Sequence, residues 1–167
     1  MYRRLLPFFL AVSTVGITMP AWGRQIKNVG SQLCVDVAMD ASTNNGLADG
    51  APVQQYPCHG GDNQQWTVQL TFAGGIDVEF PDIYKIISQY SNKCLDVPIE
   101  AATNYGLADQ AQMQQYTCNG GFNQGWIFEQ LYAATATTPA IYLIKNQGSG
   151  KCLDVPSGTA NQVRLQQ

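Results

Sequence analysis

The sequence predicts an all-β domain built from one unit used three times, and three observations carry that prediction. A tetrapeptide recurs: Cys34-Val35-Asp36-Val37 returns as Cys94-Leu95-Asp96-Val97 and again as Cys152-Leu153-Asp154-Val155, at offsets of 60 and 58 residues. The register around it is kept, with Ile26, Ile86 and Ile144 eight residues before each cysteine and Ser31, Ser91 and Ser149 three before it. Between residues 34–66 and 94–126, twenty of thirty-three aligned positions are identical. Finally, the apolar stretches are short and punctuated by Gly, Asn and Pro, which suits strands and turns better than long amphipathic helices. Self-similarity at a fixed period marks a repeat architecture.

Each complete repeat reads as four short strands. In the second repeat these fall at 83–89, 94–97, 113–117 and 125–129, separated by residues that turns need. Three such units make twelve strands about a pseudo-threefold axis, a β-trefoil. A propeller blade also has four strands, but two and a half units are too few to close a propeller. The repeats span about 25–80, 83–139 and 140–167. In the last of them Leu165-Gln166-Gln167 aligns with Val53-Gln54-Gln55, so the third repeat is expected to be truncated before its last strand. Trp66 and Trp126, at the return of a strand to the barrel, are expected in the core with Val37, Val97 and Val155.

The five cysteines follow the repeat. Cys34 and Cys58 are 24 residues apart, as are Cys94 and Cys118, which predicts two local disulfides and leaves Cys152 free. By chain entropy each closed loop contributes about 3 kcal/mol. The unpaired cysteine and the short third repeat together suggest a fragment of a longer parent chain, a truncated product, or a protomer completed in a homodimer, since an open sheet edge invites association.

At the N-terminus, Arg3 and Arg4 precede an apolar run at 5–18, and Ala21-Trp22-Gly23 places small residues at the minus-three and minus-one positions of a cleavage site. Residues 1–23 therefore read as a secretory signal peptide and 24–167 as one exported domain. The run is shorter than the roughly 20 apolar residues of a membrane span, so no membrane insertion is expected. Secretion is consistent with paired cysteines. The whole sequence has nine basic and twelve acidic residues, and loss of Arg3 and Arg4 leaves a net charge of about −5. Without a basic stripe, nucleic acid is a poor partner.

The pattern Cys-Leu/Val-Asp-Val, then Val/Met-Gln-Gln-Tyr-x-Cys, then Gly-Gly-x-Asn-Gln-x-Trp resembles the ricin B-chain type of lectin domain, which also occurs as a carbohydrate-binding module on secreted enzymes. The resemblance covers nearly all of residues 24–167. It implies a β-trefoil with up to one sugar site per repeat, on the outer hairpins, with galactose the expected sugar and xylan-type or other polysaccharides left open; a β-trefoil used as a protein-binding or inhibitory scaffold is the alternative outside sugar binding. Carried over residue by residue, the first site is Asp36, Gln54, Tyr56, Asn63 and Gln64. The second is Asp96, Gln114, Tyr116, Asn123 and Gln124, and an incomplete third site holds Asp154 and Gln166. The family often has Trp or Phe where this chain has Tyr56 and Tyr116.

Chemistry supports those residue types. A sugar presents a fan of hydroxyls on one edge and a C–H patch on one face. Asp36 or Asp96 would take two adjacent hydroxyls in charge-assisted bonds, Asn63 or Asn123 offers both a donor and an acceptor, the glutamines would hold the edge, and the tyrosine would stack on the face. An alternative for Asp36 and Asp96 is a turn cap on backbone N–H groups. His59, the one histidine, reads as a surface turn residue, with a place at the rim of the first site as the alternative. Glycoside hydrolysis needs two carboxylates in different environments about 5–10 Å apart. One equivalent aspartate per repeat does not supply them, so no catalysis is expected. Asp62 and Asp82 have no counterpart in the other repeat. A single carboxylate is a poor cage for Ca²⁺, so sugar binding is expected to need no metal or cofactor.

Overall fold

The structure, a computed structural model, describes residues 24–74, 80–156 and 160–167. The expected leader at 1–23 lies outside the described residues. Nine strands are described. The first repeat contributes β1 (Cys34–Val37), β2 (Val53–Tyr56) and β3 (Trp66–Phe72). The second contributes β4 (Ile83–Ser88), β5 (Cys94–Asp96), β6 (Gln114–Tyr116) and β7 (Trp126–Tyr132). The third contributes β8 (Ile141–Asn146) and β9 (Val163–Arg164). The strands expected in the second repeat are found to within a few residues. Single 3₁₀ turns lie at Asp62–Gln64 and Phe122–Gln124, immediately before β3 and β7.

The repeat seen in sequence is a repeat of register. β1 pairs β2 with Asp36 opposite Gln54, and β5 pairs β6 with Asp96 opposite Gln114. In the third repeat Asp154 bridges Gln166 in the same way, which places the last three residues as their alignment predicts. β3 and β4 form a hairpin that starts with Trp66 opposite Ser88, and β7 and β8 form one that starts with Trp126 opposite Asn146. Both hairpins shift register at the same place, between Leu70 and Phe72 and between Gln130 and Tyr132.

Nine strands are described, rather than the eleven expected when the last of the twelve is missing, because ladders need partners. The stretch at 24–28 corresponds to β4 but makes only the bridges Arg24 to Trp66 and Lys27 to Cys34. Cys152 and Asp154 likewise make only bridges, to Lys145 and Gln166. A cleft of about 410 Å³ lies between 26–30 and 141–144, floored by Leu153 and Leu165. β3 sits between Arg24 and β4, and β7 between Tyr84 and β8.

Trp66 and Trp126 fill the core, both fully buried, and each indole Nε1 donates to the backbone oxygen of the residue after its repeat's cysteine: Val35 at 3.0 Å and Leu95 at 3.1 Å. At about 200 Å² of buried surface per ring, each contributes on the order of 5 kcal/mol of gross hydrophobic stabilisation. Val37 and Val97 are buried beside them, whereas Val155 is only partly buried, at the wall of the cleft. The conserved-register serines tie each unit: Ser31, Ser91 and Ser149 donate to the amide oxygens of Gln55, Gln115 and Gln167 at 2.8, 2.6 and 2.6 Å. Lys93 pairs with Asp49 at 2.6 Å across the first repeat boundary, and Lys151 pairs with Asp109 across the second. Cys34–Cys58 and Cys94–Cys118 are bonded, and Cys152 is a free, half-buried thiol.

Candidate functional site

In each complete repeat the side chains predicted from sequence converge on one carboxylate. β1 turns Asp36 inward until it is 3% exposed, and the antiparallel pairing with β2 sets Gln54 across from it. Gln54 Nε2 donates to Asp36 Oδ1 at 2.9 Å. The 3₁₀ turn before β3 brings two more amides to the other oxygen: Asn63 Nδ2 at 2.8 Å and Gln64 Nε2 at 3.0 Å. The second repeat copies this, with Gln114 on Asp96 Oδ1 at 2.7 Å and Asn123 and Gln124 on Oδ2 at 2.7 and 2.9 Å. The donors are side-chain amides rather than the backbone N–H groups of a turn cap.

The two amides of the 3₁₀ turn differ in role. Asn63 and Asn123 also donate to the backbone oxygens of Val37 and Val97, at 3.1 and 2.9 Å. Gln64 and Gln124 are fully buried. Each donates a second bond, to the backbone oxygen of Pro57 or Thr117, and each accepts the backbone N–H of His59 or Asn119 at 2.9 Å. Their geometry differs from the expectation that they line the edge of a ligand: they stand behind the carboxylate, and the hydrogen-bonding capacity of their amides is directed into the protein. A buried amide in this position orients its neighbour and is costly to leave unpaired.

A carboxylate has about four lone-pair positions, and three amides occupy most of them, leaving room for a ligand chiefly on the Gln54 or Gln114 side. Burial pushes the Asp96 carboxyl above its ordinary value, and the three amide donors pull the other way. Above Asp36 lies an open depression of about 470 Å³ lined by Gln54, Tyr56, His59 and Asn63 together with Met39, Asp40 and Gln162. Tyr56 is half-buried, and Tyr116 is 41% exposed.

The structure brings one more residue into the first site. The ring of His59 stands edge-on to Tyr56 with centroids 5.9 Å apart, and its Nε2 is 3.5 Å from Asp36 Oδ2. This is the rim position rather than a detached surface turn. The signal that could have shown it is the disulfide: closing Cys58 onto Cys34 draws the following residue back over Asp36, two positions further along β1. Asp154 has Gln166 on its Oδ2 at 3.0 Å but is exposed, so it lacks the enclosure of the other two. Asp82 accepts from the backbone N–H of Gly74 at 2.7 Å and from the Tyr84 hydroxyl at 3.1 Å, in the connection between β3 and β4, and Asp62 opens the 3₁₀ turn before β3. Among the described residues no group of three or more His, Cys, Asp or Glu is placed to hold a metal ion.

Known structures share this architecture. ThreeFoil, a designed threefold-symmetric protein, superposes with a TM-score of 0.67 at 30% identity, over 87% of this chain and 88% of that one. An exo-β-1,3-galactanase from Clostridium thermocellum matches with a TM-score of 0.60 at 25% identity, over 90% of this chain but only 27% of the enzyme, so this chain spans about a quarter of that protein. The Rhizoctonia solani agglutinin has the same fold, with a TM-score of 0.63 at 18% identity over 90% of this chain and 87% of that one. A family model described as ricin-type β-trefoil lectin domain-like matches residues 22–104 and again 69–167. With the threefold register, the two amide-held aspartates and this match over essentially the whole described chain, the protein belongs to the ricin-type β-trefoil lectin domain-like family.

Proposed function

We propose that the chain is a non-catalytic carbohydrate-binding module with two sites built on the same plan, centred on Asp36 and Asp96. The observation that carries this reading is the repeated constellation itself: a carboxylate oriented by three amides, beside a tyrosine that is half-buried in the first repeat and exposed in the second. A buried carboxylate with an acceptor position left over binds a hydroxyl without first having to be ordered, which lowers the entropic cost of association. In this reading Asp36, Gln54, Tyr56 and Asn63, and Asp96, Gln114, Tyr116 and Asn123, meet the sugar, while Gln64 and Gln124 position the carboxylates. Asp154 and Gln166 are a partial third copy.

Galactose-containing glycans are the proposed ligands, because an aspartate can bridge an equatorial and an axial hydroxyl while the tyrosine covers the opposite face. Two disulfides fit an oxidising compartment, and we place the domain outside the cell, released from a leader at 1–23. A second reading is that the module belongs to a longer secreted glycoside hydrolase. The galactanase favours it, since the stretch of that enzyme matched here is about a quarter of its length.

Each site alone should bind weakly, on the order of millimolar or about −4 kcal/mol, with avidity arising when one polymer engages both. Retention on immobilised lactose tests the reading. Asp36→Asn and Asp96→Asn should each weaken retention, and the double variant should elute with the void volume while keeping its far-ultraviolet circular dichroism. Undiminished retention of the double variant would overturn the site assignment. Loss of wild-type retention on adding a chelator would overturn metal independence.

A further inference from the structure

We propose that His59 makes the two sites unequal: its proton state decides how far Asp36 is open to a ligand, and the second site, with Asn119 in that place, has no such control. The inference rests on the reading of Asp36 and Asp96 as the ligand-facing carboxylates, and deepens it.

The hydrogen bonds assign the ring's tautomer. His59 Nδ1 accepts the backbone N–H of Gly61 at 3.1 Å, so that nitrogen carries no proton. The neutral ring then has its proton on Nε2, which faces Asp36 Oδ2 from 3.5 Å, longer than a normal N–H···O bond. In this state the carboxylate is held by Gln54, Asn63 and Gln64 and keeps its remaining acceptor capacity for a ligand.

A second proton changes both ends of the ring. Imidazolium is a donor at both nitrogens, so Nδ1 can no longer accept from Gly61, and two N–H groups face each other. The ring is released from Gly61 just as its new charge is drawn to the Asp36 carboxylate. Closing the 3.5 Å gap makes a charge-assisted bond to Asp36 Oδ2, beside the amides of Asn63 and Gln64. A ligand hydroxyl arriving at Oδ1, on the Gln54 side, then meets a carboxylate whose charge is already neutralised by the cation at Oδ2.

The second repeat is a built-in control. There Asn119 Oδ1 accepts the N–H of Gly121 at 2.8 Å, the same contact made by a group that does not titrate. Among the described residues, Asp40 and Tyr56 line the same depression as His59, and Asp62 lies three residues on in the same turn region. The Ser42 hydroxyl holds the Asp40 carboxyl below its ordinary value, so Asp40 keeps its charge over the pH range of the test.

Nuclear magnetic resonance on the isotope-labelled chain tests this without and then with lactose. In the ligand-free protein, the Gly61 amide and the Asp36 carboxyl carbon should shift in step with the His59 ring as the pH falls from about 8 to about 5, while Gly121 does not follow that titration. With lactose, the dissociation constant read at Asn63 should rise about tenfold over the same interval, the worth of one charge-assisted contact. His59→Asn, which copies the second repeat, should remove that rise. A Gly61 amide or Asp36 carboxyl that stays still while His59 titrates overturns the proposal, as does a His59→Asn chain whose first site keeps the pH dependence. If lactose binds neither site at any pH, the sugar reading fails, and the ligand-free shifts still decide whether His59 exchanges Gly61 for Asp36.

Discussion

Replacing Gln124 by leucine should destabilise the protein far more than its neutral, uncharged side chain suggests. The residue is fully buried, and its amide makes three bonds: Nε2 to Asp96 Oδ2 at 2.9 Å and to the Thr117 oxygen at 3.1 Å, and Oε1 from the Asn119 N–H at 2.9 Å. Leucine fills most of the space and satisfies none of them. An unpaired buried polar group costs about 1–3 kcal/mol. Thr117 and Asn119 are near enough to solvent for water to recover part of their share. The loss is then about 2–4 kcal/mol, a large part of the 5–15 kcal/mol typical of a domain. With a urea dependence of about 1–3 kcal/mol per molar, the unfolding midpoint should fall by about 1–2 M. Equilibrium urea unfolding followed by tryptophan fluorescence measures it. Combined with Asp96→Asn, the effect should be less than additive by at least about 0.5 kcal/mol, because both substitutions break the same bond. A midpoint shift worth less than about 0.5 kcal/mol would refute the idea that the buried glutamines hold the carboxylates.

Two further outcomes follow from the same geometry. Gly121→Ala should weaken the second site, because a β-carbon there would stand 2.5 Å from Asn123 Oδ1 and push that amide away from Asp96; Gly120→Ala meets open space but pays in backbone strain at φ +77, so it should lower stability by about 1 kcal/mol while lactose titration at the second site stays unchanged. The pH dependence of Asp96 should run opposite to that of a salt-bridged carboxylate. Burial raises its folded-state value above 3.8, so between the unfolded and folded values the native state binds the extra proton. Wild type should therefore gain stability relative to Asp96→Asn as the pH falls through the folded value to below the unfolded one, and lose it again as the pH rises. Denaturation of both proteins across that interval checks the sign, and a relative loss on acidification would contradict it.

How much of this was legible in the sequence depends on whether the information was repeated. Ser31, Ser91 and Ser149 stood out as a register mark, yet their purpose, a hydroxyl on the amide of Gln55, Gln115 and Gln167, appeared only when the strands were paired. Gln64 and Gln124 were legible as members of the site but not as its rear wall. One-dimensional spacing says which residues meet and is silent about which side of a carboxylate they approach. His59 is the converse: the sequence holds one histidine with no counterpart in the other repeats, so repetition could not interpret it.

The sequence by itself determined the unit, its three uses, the cysteine pairing and the aspartate at the centre of each complete copy. These are local or periodic properties, and a period of about 60 residues with matching turns allows few ways to fold. Tertiary structure alone decided burial and direction: that Asp36 and Asp96 are enclosed by amides while Asp154 is exposed, that Val155 lies at the wall of a cleft, and that His59 reaches the carboxylate of one site only. Those features depend on what packs against each residue from distant parts of the chain. The physical reason is that desolvation and hydrogen-bond direction are set by all neighbours at once, whereas a sequence motif records only the neighbours along the chain.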